Sequence, residues 1–384
     1  MHASAVPATH RPRLIAVLGL AGALALPACQ AHRADGSSTR SASSGTTSHS
    51  ASTSAAGTPT SPAKPAAPTE PAGQFTIAFA GDVHFTGRTA QRLAADPATA
   101  FGASAPVLAR ADLTMVNLET AIAVGGRPEI KSYTFQAPPS AFTALADAGV
   151  DVVTMANNHG ADYGAAGLSQ TLAAIRRTGF PVVGIGANAA AAYAPYYRTV
   201  NGVRIAIVAA SQVQDETLAH FSATDTSAGI ANAYSDRLIA AVRTARAHVD
   251  VVIAYLHWGT EYQSCPNRDQ EALADALAAA GANAIIGTHA HVLQGAGWRP
   301  DGRYVAYGLG NYFWWKSFGN DQDDNGVLTL HFVDGRVQAA TFIPSQLDDQ
   351  GVSPPATGAN AQRIDAEFAR VRQCTGLSAT PPPR

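Results

Sequence analysis

Charge is scarce in this chain. Of 384 residues only 14% are Asp, Glu, Lys or Arg, and 26 basic against 28 acidic side chains leave a formal net charge of -2. That balance supplies no basic field to hold a nucleic-acid backbone. There is no Gly-x-x-x-x-Gly-Lys-Ser/Thr loop to cradle nucleotide phosphates and no Gly-x-Ser-x-Gly elbow to present a serine nucleophile. Gly308-x-Gly310 lacks a third glycine and precedes no helix start, which argues against dinucleotide binding. No internal repeat is evident. The apolar stretch near the start, Leu14 to Ala25, is too short to span a bilayer comfortably. Cysteine occurs three times, at 29, 265 and 374. What remains is a chain that is 46% hydrophobic, rich in alanine, with enough apolar side chains for a full core.

The first 29 residues read as an export signal rather than as part of a fold. His10-Arg11-Pro12-Arg13 is a short positive segment, Leu14 to Ala25 is the apolar segment, and Leu26-Pro27-Ala28-Cys29 resembles a bacterial lipobox. In that reading Cys29 becomes the lipidated first mature residue. Plain secretion and an uncleaved anchor are the alternatives, because Pro27 is unusual there. Residues 30–73 are Ser, Thr, Ala, Pro and Gly with almost no large apolar side chain. They read as a disordered tether that cannot bury enough surface to offset its ordering entropy, with His32 and His49 solvated within it. An exported domain matures where disulfides form, so Cys265 and Cys374 are expected to pair and tie the C-terminal segment to the domain.

From Gln74 the texture becomes that of a folded domain, assigned to residues 74–346, with a loop and short helix over 347–384. Apolar runs predict strands over 75–80, 113–116, 151–154, 181–184, 204–209, 249–256, 283–286, 304–307, 327–333 and 336–343. Helical spacing covers 140–148, 165–178, a segment capped by Ser235, 268–280 and 361–373. Asn201-Gly202 and Asp334-Gly335 read as tight turns. The final residues read as frayed. Alternating strands and helices predict an α/β fold with mixed sheets.

Of eight histidines in the folded part, five fall in short clusters in a definite order. Asp82 and His84 stand two apart at a strand end, where an extended backbone points both side chains the same way. His289 and His291 repeat that spacing after another strand, with Gly287 allowing a tight turn. Glu119 follows a short strand, and one carboxylate can bridge two divalent ions that sit roughly 3.5–4 Å apart. Asn158 offers a neutral carboxamide oxygen, and His257 leaves the strongest strand in the chain. His159, beside Asn158, is suited to give a proton or a hydrogen bond to a developing anion. Asp162 is a candidate to orient His159, but capping the helix near Ala165 is the preferred reading. His220, His248 and His331 lack such neighbours and read as structural.

The ordered set Asp-x-His, acidic residue, Asn-His, His, Gly-x-His-x-His resembles the calcineurin-like metallophosphoesterases. The longer strings are similar to the CapA family of poly-γ-glutamate capsule biosynthesis proteins. These strings are Gly81 to Arg88, Asn117-Leu118-Glu119, Ala156 to His159 with Asp162-Tyr163-Gly164, His257 to Tyr262 with Pro266 and Gln270, and Gly308 to Tyr312. The resemblance covers about Phe75 to Pro344. It implies a four-layer α/β/β/α sandwich of metallophosphoesterase type. It implies one ion on Asp82, His84, Glu119 and His291, a second on Glu119, Asn158, His257 and His289, and His159 as acid or anion stabiliser. In the same strings, Arg88, Asn117, Glu261 and Asn311 become candidate substrate contacts. Mixed nitrogen and oxygen donors suit Mn, Fe or Zn without choosing among them. Two departures stand out. The usual bridging aspartate is replaced by Glu119, and many relatives lack a histidine where His84 stands.

The first functional expectation is a cell-surface hydrolase or transferase acting on a phosphoester or amide bond of polyglutamate or another anionic envelope polymer. One or two divalent ions would serve it. The alternative is a non-catalytic, metal-containing envelope factor that binds or exports such a polymer, with Lys131, Arg268 and Lys316 as scattered cations along its path. A scaffold that has lost its chemistry is disfavoured because the ligand set is complete. Expected partners are the polymer, the membrane through the lipid anchor on the outer face of the cytoplasmic membrane, and membrane proteins of capsule synthesis. Nucleic acid is not expected.

Overall fold

Strict alternation in the central strands sets the layers. The computed structural model describes residues 71–383. The leader, Cys29 and the tether up to residue 70 lie outside the described residues. In the Val203–Ser211, Val251–His257 and Ala284–Thr288 strands, Ile205, Ile207, Ala209, Ile253, Tyr255 and Ile286 face one core. Their neighbours Ala206, Val208, Ala210, Val252, Ala254, Leu256 and Ile285 face another. A pleat with both faces apolar must be covered on both faces.

The first core lies between two sheets. One sheet runs Arg336–Gln346, Asp324–Val333, Gln74–Val83, Leu113–Leu118, Val152–Thr154, Val182–Val183, with Asn311–Phe313 alongside the end of Gln74–Val83. The other runs Ala296–Trp298, Tyr304–Ala306, Ala284–Thr288, Val251–His257, Val203–Ser211, Tyr196–Val200. Both are mixed: the central pairings are parallel and the outermost hairpins antiparallel. Tyr255 crosses between the sheets, its Oη donating to the Ala80 carbonyl at 2.7 Å.

Helices close the outer faces. Asp236–Arg246 and Arg268–Ala280 pack Leu238, Val242, Ala274 and Leu277 on the second sheet. Ser140–Asp147 and Gly164–Thr178 bring Phe142, Leu145 and Leu168 into the cluster that includes the first sheet. The result is the α/β/β/α sandwich with mixed sheets. Local chemistry sets several ends. Ser235 and Asn267 accept from backbone N–H groups at their helix starts, and Gly281 ends its helix in the left-handed region at φ 112°. Asn201-Gly202 and Asp334-Gly335 have both φ values positive, as two-residue hairpin turns require.

Two expectations need correction. Pro181 to Gly184 yields only the two-residue strand Val182–Val183, because Gly184 turns to φ 83°. The chain end is not wholly frayed: Ser378 exchanges two backbone hydrogen bonds with Trp298, at 2.8 and 2.9 Å.

Candidate metal centre

The parallel strands of both sheets deliver polar residues at their C-terminal ends. Asp82 comes from Gln74–Val83, Asn117 and Glu119 from the end of Leu113–Leu118, and His257 from the last position of Val251–His257. His289 and His291 follow Ala284–Thr288. Among the described residues two buried groups have ligand atoms within 4.8 Å of one another: Glu119 with His289 and His291, and Asp82 with Glu119 and His257. Glu119 belongs to both, as a bridging carboxylate must.

His289 and His291 do not converge by strand pleating. Both lie beyond the strand with positive φ, 94° and 57°, a backbone state that costs L residues energy and is kept only where the surroundings enforce it. Asp82 helps enforce it, accepting from the His289 N–H at 3.2 Å.

A chain of hydrogen bonds fixes donors and acceptors. The His159 backbone N–H can only donate, and it reaches Asn157 Oδ1 at 3.0 Å. Asn157 Nδ2 therefore donates, to Asn117 Oδ1 at 2.9 Å. Asn117 Nδ2 is then the donor that faces Asp82 Oδ1 at 2.8 Å, Glu119 Oε2 at 3.3 Å and His257 Nδ1 at 3.2 Å. Thr288 Oγ1 stands equally near His257 Nδ1, at 3.2 Å, so the ring can donate from Nδ1 to Thr288 and keep the Nε2 lone pair, 2.8 Å from Asn158 Oδ1, for an ion. Asn117 thus orients both carboxylates from behind, as groups backing a metal site do. His291 is held similarly, its Nδ1 2.8 Å from Asn311 Oδ1 and 3.4 Å from Asp82.

The electrostatics show a centre short of positive charge. Burial and the neighbouring Asp82 push the Glu119 carboxyl well above the usual carboxylate range. Burial also raises Asp82, but its bonds to His291 and Asn117 outweigh that and hold it below its ordinary value. Burial drives His257 well down and His289 to about 3, both further disfavoured as cations by neighbouring histidines. Burial opposes the charge on His291 too, yet Asp82 keeps it raised. Glu119 Oε1 and His289 Nδ1 are buried without a hydrogen-bond partner. Orphaned acceptors of this kind, grouped with a second carboxylate and neutral imidazoles, fit a divalent cation.

His84 departs from its expected place and stands outside both groups. Its strand ends at Val83, and the extra residue in the pairing there is Tyr312 on the neighbouring Asn311–Phe313 strand. As the first residue past the strand end, His84 is not bound to the alternation that would have aligned it with Asp82. Its Nε2 accepts from the Trp315 N–H at 3.1 Å, and its ring sits between Phe135 and Trp314, 4.2 and 4.1 Å away.

Asp162 also departs from the preferred reading. The Gly164–Thr178 helix has no side-chain cap. Asp162 Oδ2 instead meets His159 Nδ1 at 2.6 Å. Burial lowers His159 while Asp162 opposes that drop. His159 Nε2 lies 3.8 Å from Glu119 Oε1.

Of the other candidates, Glu261 lines the cleft above the centre and Asn117 and Asn311 lie beneath it, whereas Arg88 is exposed at the start of a helix and outside the cleft lining. Lys131 is not a scattered solvated cation: its side chain is largely buried and bonded to Asp162, Asp215 and Thr217. Lys316 lies over the Trp315 and Phe318 rings, and Arg268 is exposed. Cys265 and Cys374 form a disulfide. The sequence reading missed the aromatic wall of the cleft, Tyr133, Phe135, Tyr262, Trp314 and Trp315. Two adjacent tryptophans in a chain that has four were its signal.

A family model described as "Bacterial capsule synthesis protein PGA_cap" matches residues 76–314. "Capsule biosynthesis protein CapA" of Bacillus anthracis is 29% identical over 244 residues, 62% of this chain and 58% of that protein. "PGA biosynthesis protein CapA" of Bacillus subtilis (strain 168) is 33% identical over 187 residues, 47% of each chain. This chain thus spans about half the length of these curated relatives. A solved Mycoplasma pneumoniae phosphatase overlaps 72% of this chain and 95% of its own at a TM-score of 0.47 and 16% identity.

Proposed function

This chain belongs to the bacterial capsule synthesis protein family PGA_cap, and from that membership we propose that it serves poly-γ-glutamate capsule synthesis as a metal-dependent hydrolase or transferase outside the cytoplasmic membrane. Its substrate is the polymer or a related anionic envelope compound, cut at an amide or phosphoester bond. The observation that carries the reading is the buried ligand set with orphaned atoms at Glu119 and His289, set beside His159.

Asp82, Glu119, Asn158, His257, His289 and His291 are the residues that would hold one or two divalent ions, Mn, Fe or Zn. Such an ion lowers the pKa of water and polarises the bond to be cut. The protein's own part is orientation and proton handling. Asp162 accepts from Nδ1 of His159, which leaves Nε2 directed toward Glu119 and the cleft. There His159 can give a proton to a leaving group, with Asp162 stabilising the imidazolium. Glu261, Tyr133 and Tyr262 line the approach. Location outside the membrane is supported by the leader-like first 29 residues and by the Cys265–Cys374 disulfide, which suits an oxidising compartment. Among the described residues no helix is long and apolar enough to cross a membrane; attachment through a lipidated Cys29 is part of the proposal, with an uncleaved leader as its alternative.

Elemental analysis of the purified chain tests the centre. We expect bound Mn, Fe or Zn, lost in His257→Ala. An absence of metal after reconstitution would sink the hydrolase reading. Turnover of phosphodiester and γ-glutamyl amide probes then separates catalysis from retention: His159→Ala should abolish turnover while sparing polymer binding. A metal-loaded chain that binds polymer without turnover of any probe leaves the non-catalytic envelope factor.

A further inference from the structure

Residues 124–134 run over the surface beside the cleft, and most of them are exposed. Ile130 is 96% exposed and Tyr133 59%. Lys131 is the exception, with a side chain only 8% exposed. Its ammonium meets the Asn158 carbonyl, Asp162 Oδ1 at 3.0 Å, Thr217 Oγ1 at 3.1 Å and Asp215 Oδ2 at 3.1 Å. An ammonium has three protons, so these partners saturate it. Nothing is left over for a polyanion.

The partners of Lys131 are placed one step from the chemistry. Asn158, whose carbonyl it binds, places its carboxamide oxygen beside His257 Nε2. Asp162 uses its other oxygen to hold His159, and that same oxygen accepts from the Phe135 N–H at 2.7 Å. The Asp162 carbonyl accepts from the Glu129 N–H at 2.8 Å. Three segments therefore meet at one cation: the surface strap, the loop bearing Asn158 and His159, and the start of the Glu216–Phe221 helix, which Asp215 caps. The strap in turn supplies Ile130, Ser132, Tyr133 and the stem of Lys131 itself to the cleft lining.

We propose that Lys131 is a positioning residue that locks the strap over the cleft and fixes the Asp162–His159 pair in register with Asn158. The rate consequences rest on the hydrolase reading; the anchoring does not. Without Lys131, Asp162 keeps its charge in a buried place with only neutral donors. The strap then loses its charged tie inward and keeps only backbone bonds to Asp162, and the His159 ring loses the fixed partner that directs Nε2.

The test uses the full chain with Lys131→Met, Lys131→Arg and Asp162→Asn. Two readouts need no substrate. Amide exchange at Glu129 and Phe135 should quicken at least about tenfold in Lys131→Met, because both bonds end on Asp162. The low-field NMR signal of the His159 Nδ1 proton should move upfield, and Lys131→Arg should restore part of both. With bis(4-nitrophenyl) phosphate as probe, kcat should fall about 100-fold, the scale of a displaced acid–base group, with KM and metal content nearly unchanged. Lys131→Met added to Asp162→Asn should lower kcat little further. Unchanged exchange and proton signal would overturn the proposal. So would a rise in KM alone, the mark of a substrate contact, or fully additive losses. If wild type turns over no probe, the hydrolase reading fails, and the exchange and proton signals still decide whether Lys131 anchors the pair.

Discussion

Glu119 lies beside Asp82 with both carboxylates fully buried, and one of its oxygens has no hydrogen-bond partner. Without an ion, burial and Asp82 favour its protonated form. A cation at the same point would remove the conflict, so Glu119 trades stability of the ion-free chain for affinity. Glu119→Gln separates the two. The amide keeps the shape and can donate toward Asp82 as the protonated acid does. In EDTA the variant should be more stable, by about 1–3 kcal/mol, the range for a poorly satisfied buried polar group. Metal retention should fall at least about tenfold, since losing a ligand should cost no less than losing a residue that only orients one. Thermal unfolding with and without EDTA checks both; a variant less stable in EDTA would mean the carboxyl is well satisfied without an ion. The identities of Asp82, Glu119, His257, His289 and His291 were readable because ligand chemistry restricts residue type. The placing of His84 was not, because it lies just past its strand end and the rings that hold it, Phe135 and Trp314, come from distant segments. Nor was the tie from Asp162 to His159, where a cap and an orienting carboxylate use the same residue at the same spacing.

The elements that carry these residues come close only where side chains are absent. Gly81 shows this most sharply: a Cβ there would lie 1.8 Å from the Gly310 carbonyl oxygen. That carbonyl accepts from the Asp82 N–H at 3.0 Å, and the contact sets Asp82 opposite Asn311. Gly81→Ala must push two strand ends apart, since the obstacle is backbone and not a flexible side chain. We expect a loss of about 3 kcal/mol, the upper part of the overpacking range, with reduced metal content. Gly202→Ala is the control, with nothing within 4 Å of its Cβ and only a positive φ of 84° to strain, a cost of about 1 kcal/mol. Urea unfolding of both variants tests the contrast, and equal losses would refute the close-approach argument. The strands over Val251–His257 and Ala284–Thr288 were visible as apolar runs because both faces are buried. Sheet order was not visible, since the pairing of Asn311–Phe313 beside Gln74–Val83 joins segments more than two hundred residues apart.

Across the whole molecule the buried histidines make stability depend on pH, and the sign can be worked out. His84, His159, His257 and His289 all have lowered folded-state values, chiefly through burial. In the unfolded chain each protonates near the ordinary value of about 6.5. Below that pH the unfolded state binds more protons at these four sites, so acidification favours unfolding there. His291 and Glu119 act in the opposite sense: their raised folded values give stability that is complete below their ordinary values and is lost as the pH rises through the folded ones. Four sites outweigh two once the pH falls below about 6.5. Above it the two raised groups are what titrate, and ionising Glu119 costs stability. The ion-free chain should therefore be most stable near neutrality and lose melting temperature from about pH 6.5 toward pH 5. Divalent ions compete with protons for the same imidazoles and for Glu119. The melting temperature gained on adding Mn should therefore shrink as the pH falls. Melting curves from pH 8 to 5, in EDTA and in Mn, decide the matter. A melting temperature that stays level or rises on acidification in EDTA would mean that these rings are solvated in solution and that the centre is not the closed, ion-seeking cluster described above.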